Sequence, residues 1–115
     1  MKKVYFLKSC DTCRKILKEV NIEGFEKQEI KTDPIKIDQL EQMHSYSNSY
    51  ETLFNKRAKL YKDLKSKQPN LSEIDYKNHI LKEYTFLKRP VFIVDNDIYI
   101  GNNRKVIEAL KEKLN

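Results

Sequence analysis

KSCDTCRK, residues 8–15, holds the only two cysteines of this 115-residue chain, Cys10 and Cys13. The apolar run at residues 4–7, just before it, has the length of a buried strand. After it, apolar side chains recur at the spacing of one helical face: Cys13, Ile16, Leu17 and Val20. Because residues 9–12 include Ser, Asp and Thr, which cap helices, we expect the cysteines at the turn from a first strand into a first helix.

The segments that follow predict a second strand and then a group of helices. Asn21 and Gly24 can end the first helix, and residues 25–30 are typical of a more polar strand. Residues 32–34, Thr-Asp-Pro, break that strand. Residues 37–87 carry apolar side chains at helical spacing, among them Leu40, Met43, Leu53, Phe54, Leu60, Tyr61, Leu64, Tyr76, Ile80 and Leu81.

Strands return near the C-terminus. Residues 91–94 and 98–100 are apolar and flank a turn at residues 95–97, which predicts a hairpin. A last helix follows, with an inner face of Val106, Ile107, Leu110 and Leu114. The order βαβ, helices, ββα predicts an α/β, thioredoxin-like fold with a mixed four-stranded sheet. We expect residues 1–115 to form a single domain with a helical insertion at about residues 37–87.

The predicted position of the cysteines gives them a chemistry. The first turn of a helix carries unpaired N–H groups and the positive end of the macrodipole, which favour a thiolate. Lys8, Arg14 and Lys15 favour it further. Cysteines in such sites have pKa values of roughly 3.5–7.5 instead of about 8.5. Cys10, at the helix edge, should attack a substrate, and Cys13, one turn further in, should resolve the mixed disulfide.

Three other roles for the cysteines are less consistent with the sequence. A Cys10–Cys13 staple would close a very small loop, and small loops stabilise least. A zinc site needs about two more ligands, whereas His44 and His79 lie far away at no recognised ligand spacing. A third interpretation is that both cysteines are inert core residues. This interpretation suits Cys13, which lies on the apolar face, but not Cys10, whose neighbours Ser9 and Asp11 are polar. We therefore expect redox chemistry and no bound metal.

The composition argues against a nucleic-acid-binding, membrane or secreted protein. The formal charge is +6, but 17 acidic residues are interspersed with 23 basic ones, so no basic arm predicts sequence-specific binding to nucleic acid. No apolar stretch approaches the roughly 18 residues of a membrane helix. The N-terminus lacks the apolar core of a signal peptide. We expect a cytoplasmic protein that does not bind membranes.

Pro90 stands directly before the apolar strand at residues 91–94, where its preceding peptide bond is a candidate for cis. The run CDTCRK after a first strand, the segment NKRAKLYK and the run FLKRPVFIVDNDIYIGN together resemble the arsenate reductase-like (ArsC/Spx) family. That family is a thioredoxin-fold branch with a helical insertion. It includes the glutaredoxin-linked arsenate reductases and the Spx-type transcription regulators, and the resemblance covers nearly all of the chain.

The resemblance implies roles for individual residues. It makes Cys10 the family's reactive cysteine, Arg89 the arginine that binds the oxyanion or tunes the thiolate, and Arg57 a second arginine near the sulfur. Pro90 is similar to the cis-proline that faces the cysteines in thioredoxin folds. Guanidinium groups bind tetrahedral oxyanions and stabilise thiolates, which agrees with these roles. Together with Lys8 and Arg14, Arg57 and Pro90 are the expected substrate-binding residues.

The chain departs from the arsenate reductases of this family in two places. They carry a further arginine shortly after the last strand, where this chain has Gly101-Asn102 and only a displaced Arg104. They also commonly lack the second cysteine, which here is Cys13. We therefore expect a thiol oxidoreductase that reduces an oxyanion, arsenate included, or a disulfide or glutathione adduct.

The alternative function is that of an Spx-type regulator, in which the same cysteine pair is a redox switch and RNA polymerase is the partner. No cofactor is expected to be bound. Glutathione, thioredoxin or glutaredoxin is the expected reductant of an oxidised Cys10–Cys13 pair.

Overall fold

The computed structural model describes all of residues 1–115. Four strands are present: β1 (Lys2–Phe6), β2 (Glu26–Glu29), β3 (Val91–Val94) and β4 (Asp97–Ile100). Six α-helices and one short 3-10 helix (Tyr84–Phe86) accompany them; the α-helices are α1 (Asp11–Glu19), α2 (Ile37–Ser47), α3 (Tyr50–Leu53), α4 (Lys59–Lys67), α5 (Glu73–Lys82) and α6 (Arg104–Leu114). No helix is long and apolar enough to span a bilayer.

The strands form one mixed sheet in the order β2-β1-β3-β4. β1 pairs with β2 in parallel, and β1–β3 and β3–β4 pair antiparallel. This architecture confirms the predicted α/β, thioredoxin-like class. The hairpin between β3 and β4 turns on two residues, Asp95 and Asn96, one fewer than predicted. Asp95 has a φ of 55°, a left-handed conformation that Asp and Asn tolerate in such turns.

The chain forms two compact units, residues 1–33 with 89–115, and residues 34–88. The first unit contains the sheet, α1 and α6. Its core includes Phe25 and Phe92, whose rings meet edge to face with centroids 5.7 Å apart, an arrangement that contributes about 0.5–1.5 kcal/mol beyond area burial. The other members of this cluster are Val4, Ile16, Val20, Val94, Ile107 and Leu110.

The second unit contains the predicted helical insertion. The Phe54 ring lies at its centre, with the ring centroids of Tyr76 and Phe86 each 4.9 Å away. Phe54 follows α3 in an isolated bridge with Leu87 and is not helical. Leu60, one of the apolar residues that predicted a helix here, lies in α4 and is 52% exposed, and α4 buries none of its residues.

Candidate active site

Cys10 is the residue that caps the start of α1. The chain leaves β1 at Phe6, and the Leu7 carbonyl accepts a hydrogen bond from the Cys10 N–H at 3.1 Å. Cys10 then adopts extended backbone angles, and its sulfur accepts from the Cys13 N–H at 3.5 Å. A sulfur thus occupies the place of the usual oxygen cap, at the positive end of the helix.

The two cysteines differ in exposure. Cys10 is partly exposed, whereas Cys13 is fully buried at 0% on the inner face of α1. Neither sulfur is in a disulfide. The arrangement has the exposure that the sequence predicted, with a partly exposed outer sulfur and a buried inner sulfur one turn behind it.

Arg89 joins the cysteine pair from another part of the sequence. It precedes β3, whose first residue, Val91, is paired with Tyr5 of β1. The pairing brings the start of β3 to the end of β1 from which the Cys10 loop departs. Both the charge of Arg89 and a hydrogen bond from its side chain act on the Cys10 sulfur. The Arg89–Pro90 peptide bond is cis, as the sequence suggested.

The surroundings move the pKa values of the two thiols apart. Partial burial raises the pKa of Cys10, but hydrogen bonds from the backbone and side chain of Cys13, together with Arg89, outweigh burial and hold that pKa below its usual value. Burial, together with the neighbouring Cys10, raises the pKa of Cys13 to about 12, although a hydrogen bond from the Leu7 backbone and the charge of Arg89 act to lower it. Cys10 is therefore the more readily ionised sulfur, and Cys13 is the one that stays protonated.

Of the other predicted residues, Lys8 lies in the loop that leads to Cys10, and Arg14 is bound to that loop. The Arg14 guanidinium donates to the Lys8 carbonyl at 2.7 Å and forms an ion pair with Asp11. The Lys8 backbone N–H donates to Glu29 Oε2 at 3.0 Å. Arg57 belongs to residues 34–88, where its side chain is exposed and its N–H donates to Asn55 Oδ1 at 3.0 Å. The roles of Lys8, Arg14 and Arg57 in substrate binding stay predictions.

Arg104, the displaced arginine of the sequence, lies at the other end of α1. It donates to both carboxylate oxygens of Glu19, at 3.1 and 2.9 Å, and to Glu108 at 2.5 Å. Glu19 is the last residue of α1, whereas Cys10 caps the first turn of that helix. Arg104 is thus engaged in ion pairs about nine residues, or roughly 13 Å of helix, from the sulfur.

Glu29 is the residue of the site that sequence reasoning missed. It ends β2 and accepts the Lys8 N–H, two residues before Cys10. Nothing in the polar run at the end of β2 distinguishes this glutamate from an ordinary surface residue. Only the parallel pairing of β1 with β2 brings it to the Cys10 loop.

A cysteine pair at the start of the first helix, beside an arginine and a cis-proline on a mixed sheet, defines a thioredoxin-fold thiol site. A family model described as the ArsC family matches residues 5–110. The global transcriptional regulator Spx of Streptococcus mutans serotype c is 31% identical over 104 residues, which cover 88% of this chain and 76% of that protein. The chain therefore belongs to the ArsC family.

Solved structures agree on the fold. An ArsC family related protein from Bacteroides fragilis has a TM-score of 0.78 at 23% identity, covering 96% of this chain and 97% of that one. An arsenate reductase from Vibrio cholerae has a TM-score of 0.72 at 15% identity, covering 99% of this chain and 97% of that one. At these identities the likeness shows the fold alone.

The role of Arg89 can be tested by alkylation. We expect Arg89→Gln to raise the pH midpoint for iodoacetamide labelling of Cys10 by about one unit or more, because an opposite charge beside an ionisable group lowers its pKa by roughly that amount. Arg104→Gln removes the same charge at the far end of α1, where Arg104 is paired with Glu19 and Glu108, and should leave the midpoint near its wild-type value. Peptide mapping of the labelled protein assigns the label to Cys10. Equal shifts in both variants would mean that the basic surface as a whole, and not Arg89 in particular, lowers the pKa of Cys10.

Proposed function

We propose that this chain is a thiol-dependent oxidoreductase in which Cys10 is the nucleophile and Cys13 the resolving residue. The single observation that carries this proposal is the placement of two sulfurs at one helix start, with Cys10 partly exposed as the cap of α1 and Cys13 fully buried behind it. Cys10 has a lowered pKa, and the buried Cys13 has a pKa of about 12. The attacking sulfur is then the more readily ionised of the two, while the resolving sulfur stays protonated and unreactive until Cys10 has formed the mixed disulfide.

The first step is attack of the Cys10 thiolate on one sulfur of a substrate disulfide or glutathione adduct. A new S–S bond forms between Cys10 and that sulfur, and the substrate S–S bond breaks. The other substrate sulfur leaves as a thiolate and takes up a proton from water. Arg89, whose charge acts on the Cys10 sulfur, also favours a substrate with a negative charge near its disulfide.

The second step transfers the bond to Cys13. The Cys13 thiol loses its proton to the solvent and its sulfur attacks Cys10, so that the Cys10–Cys13 disulfide forms and the second substrate thiolate leaves. Two electrons have then passed from the cysteine pair to the substrate. Once Cys10 is in a mixed disulfide its negative charge is gone, which removes one of the causes that raise the Cys13 pKa. The first step thereby prepares the second.

The oxidised pair needs an external thiol to reset it. Glutathione, thioredoxin or glutaredoxin supplies the two electrons by the reverse exchange, with no bound cofactor, and the cytosol is the compartment where these thiols are kept reduced.

We favour a disulfide or glutathione adduct over arsenate as substrate. Arg104 is held by Glu19 and Glu108, so it adds no guanidinium to an oxyanion cage beside Arg89. Lys8, Arg14, Arg57 and Pro90 are the proposed substrate contacts.

Trapping with glutathione disulfide tests the two cysteine roles. Cys13→Ser should stop at a mixed disulfide of one glutathione per chain, whereas the wild-type protein should proceed to an internal disulfide and Cys10→Ser should bind none. Because Cys13 must lose a proton, we expect the resolving step to accelerate about tenfold per pH unit between roughly pH 7 and 9. Intact mass after acid quenching follows each species. A glutathione adduct on Cys10→Ser would contradict the assignment, and arsenate offered in parallel compares the two substrate classes.

A second candidate function is transcription regulation through the same redox pair. The observation that favours it is the 31% identity with a global transcriptional regulator, Spx. In this proposal the reversible Cys10–Cys13 disulfide changes the affinity for RNA polymerase, and no substrate is turned over. The mixed charge of the chain argues against direct reading of DNA sequence.

A binding experiment separates the regulator from the enzyme. If the chain is a regulator, purified RNA polymerase should bind the wild-type protein with an affinity that differs between its reduced and oxidised forms. Cys13→Ser, which cannot form the internal disulfide, should bind equally under both conditions. Surface plasmon resonance with immobilised polymerase measures this. If polymerase binds neither redox form and the protein turns over glutathione disulfide, the regulator proposal is wrong and the oxidoreductase proposal stands.

A further inference from the structure

Glu29 joins two loops through one carboxylate. Its Oε2 accepts the Lys8 N–H at 3.0 Å from the loop that leads to Cys10. Its Oε1 accepts the N–H groups of Lys31 at 3.0 Å and Thr32 at 2.8 Å, and the Thr32 hydroxyl at 3.0 Å, from the loop after β2. Partial burial raises the pKa of Glu29, but the hydrogen bonds from Lys8, Thr32 and Lys31 outweigh burial and hold it below its usual value. The carboxylate is therefore ionised near neutral pH.

The group that Glu29 binds on the Cys10 side belongs to the peptide unit between Leu7 and Lys8. The N–H of that peptide points to Glu29, and its C=O accepts the Cys10 N–H at 3.1 Å. A peptide unit is planar, so an oxygen that fixes the N–H also fixes the direction of the C=O. An ionised acceptor on the N–H also strengthens the bond that the C=O accepts.

Both cysteines depend on this short segment. The Leu7 backbone supplies a hydrogen bond to the Cys13 side chain as well as the carbonyl for Cys10. Next to it, the Lys8 carbonyl accepts from Arg14 at 2.7 Å. A rotation of the Leu7–Lys8 peptide would therefore move Cys10 away from the Cys13 N–H that its sulfur accepts at 3.5 Å.

We propose that Glu29 is the positioning residue of the nucleophile: its carboxylate fixes the plane of the Leu7–Lys8 peptide and thereby holds Cys10 at the start of α1. The inference rests on the proposed role of Cys10 as nucleophile. Glu29 acts through the peptide and touches no substrate.

The charge of Glu29 and its positioning role predict opposite effects. If Glu29 acted on Cys10 only as a negative charge, neutralising it would lower the pKa of Cys10, since repulsion would be removed. If Glu29 holds the peptide, neutralising it loosens the contacts of Cys10 with Cys13 and Arg89, and the pKa rises. A purely structural role would lower stability and leave the pKa unchanged. The sign of the shift therefore identifies the role.

Glu29→Gln is the variant that tests the sign. The glutamine amide has one oxygen, which accepts, and one NH₂ group, which donates, in place of two accepting oxygens. One of the two loops would then have its backbone N–H facing the NH₂ group, and that hydrogen bond is lost. We expect the pH midpoint for alkylation of Cys10 to rise by about half a unit to one unit, part of the lowering of about 1–5 units that such sites give a cysteine. At a pH below both midpoints, labelling slows by about three- to tenfold.

Glu26→Gln is the matched control. It removes the same charge from the same strand, but Glu26 binds the Lys3 side chain at 2.9 Å and makes no contact with the Leu7–Lys8 peptide. Its midpoint should equal that of the wild-type protein. A midpoint in Glu29→Gln that is unchanged or lower would overturn the inference, as would an equal rise in both variants. If wild-type Cys10 itself proves no more acidic than a free cysteine, the proposed function fails instead.

A measurement on the wild-type protein covers the case in which Glu29→Gln does not fold. In an NMR titration from pH 7 to pH 3, we expect the amide protons of Lys8 and Cys10 to shift together with the Glu29 carboxylate, at one common midpoint below 4.5. The Cys10 amide follows because its acceptor and the Lys8 N–H share one peptide plane. A Cys10 amide that stays unmoved while Glu29 titrates would overturn the inference.

Discussion

The hydrogen bond from the Cys13 N–H to the Cys10 sulfur is the interaction on which the site depends. It exists because Cys10, and not a serine or aspartate, caps α1, so that a sulfur receives the donor that normally meets an oxygen. The same three-residue spacing that supplies this donor places the second sulfur on the buried face of the helix. One local geometry thus lowers the pKa of the outer thiol and, by burying the inner thiol, raises the pKa of that one.

The sheet converts this local geometry into a site. β1 ends directly before the cysteine loop, and its two neighbours bring residues that the sequence separates widely: Arg89 precedes β3, and Glu29 ends β2. Arg89 acts on the sulfur itself, while Glu29 holds the peptide before it. The central position of β1 in the order β2-β1-β3-β4 is therefore what allows one loop to be supported from both sides.

The strand-to-helix turn at Cys10, the mixed sheet and the cis-proline could be predicted from the sequence, because each depends on local patterns or on family motifs. Glu29 could not be predicted, since its role arises from strand pairing and leaves no mark in a polar run. The spacing of Leu60 and its apolar neighbours predicted a helix there, but it could not show that α4 buries none of its residues. The sequence showed Arg104 only as an arginine displaced from the family's position, and its ion pairs with Glu19 and Glu108 place it at the far end of α1.

The most direct measurement is a pH titration of both cysteines by NMR, with ¹³C at their β-carbons in the reduced wild-type protein. Each β-carbon shift reports the ionisation of its own sulfur without a reagent that must reach it. The account predicts that Cys10 titrates well below about 8.5, the value of a free cysteine, while Cys13 remains protonated through the same range. A single shared midpoint near that of free cysteine, or a Cys13 that ionises before Cys10, would contradict it.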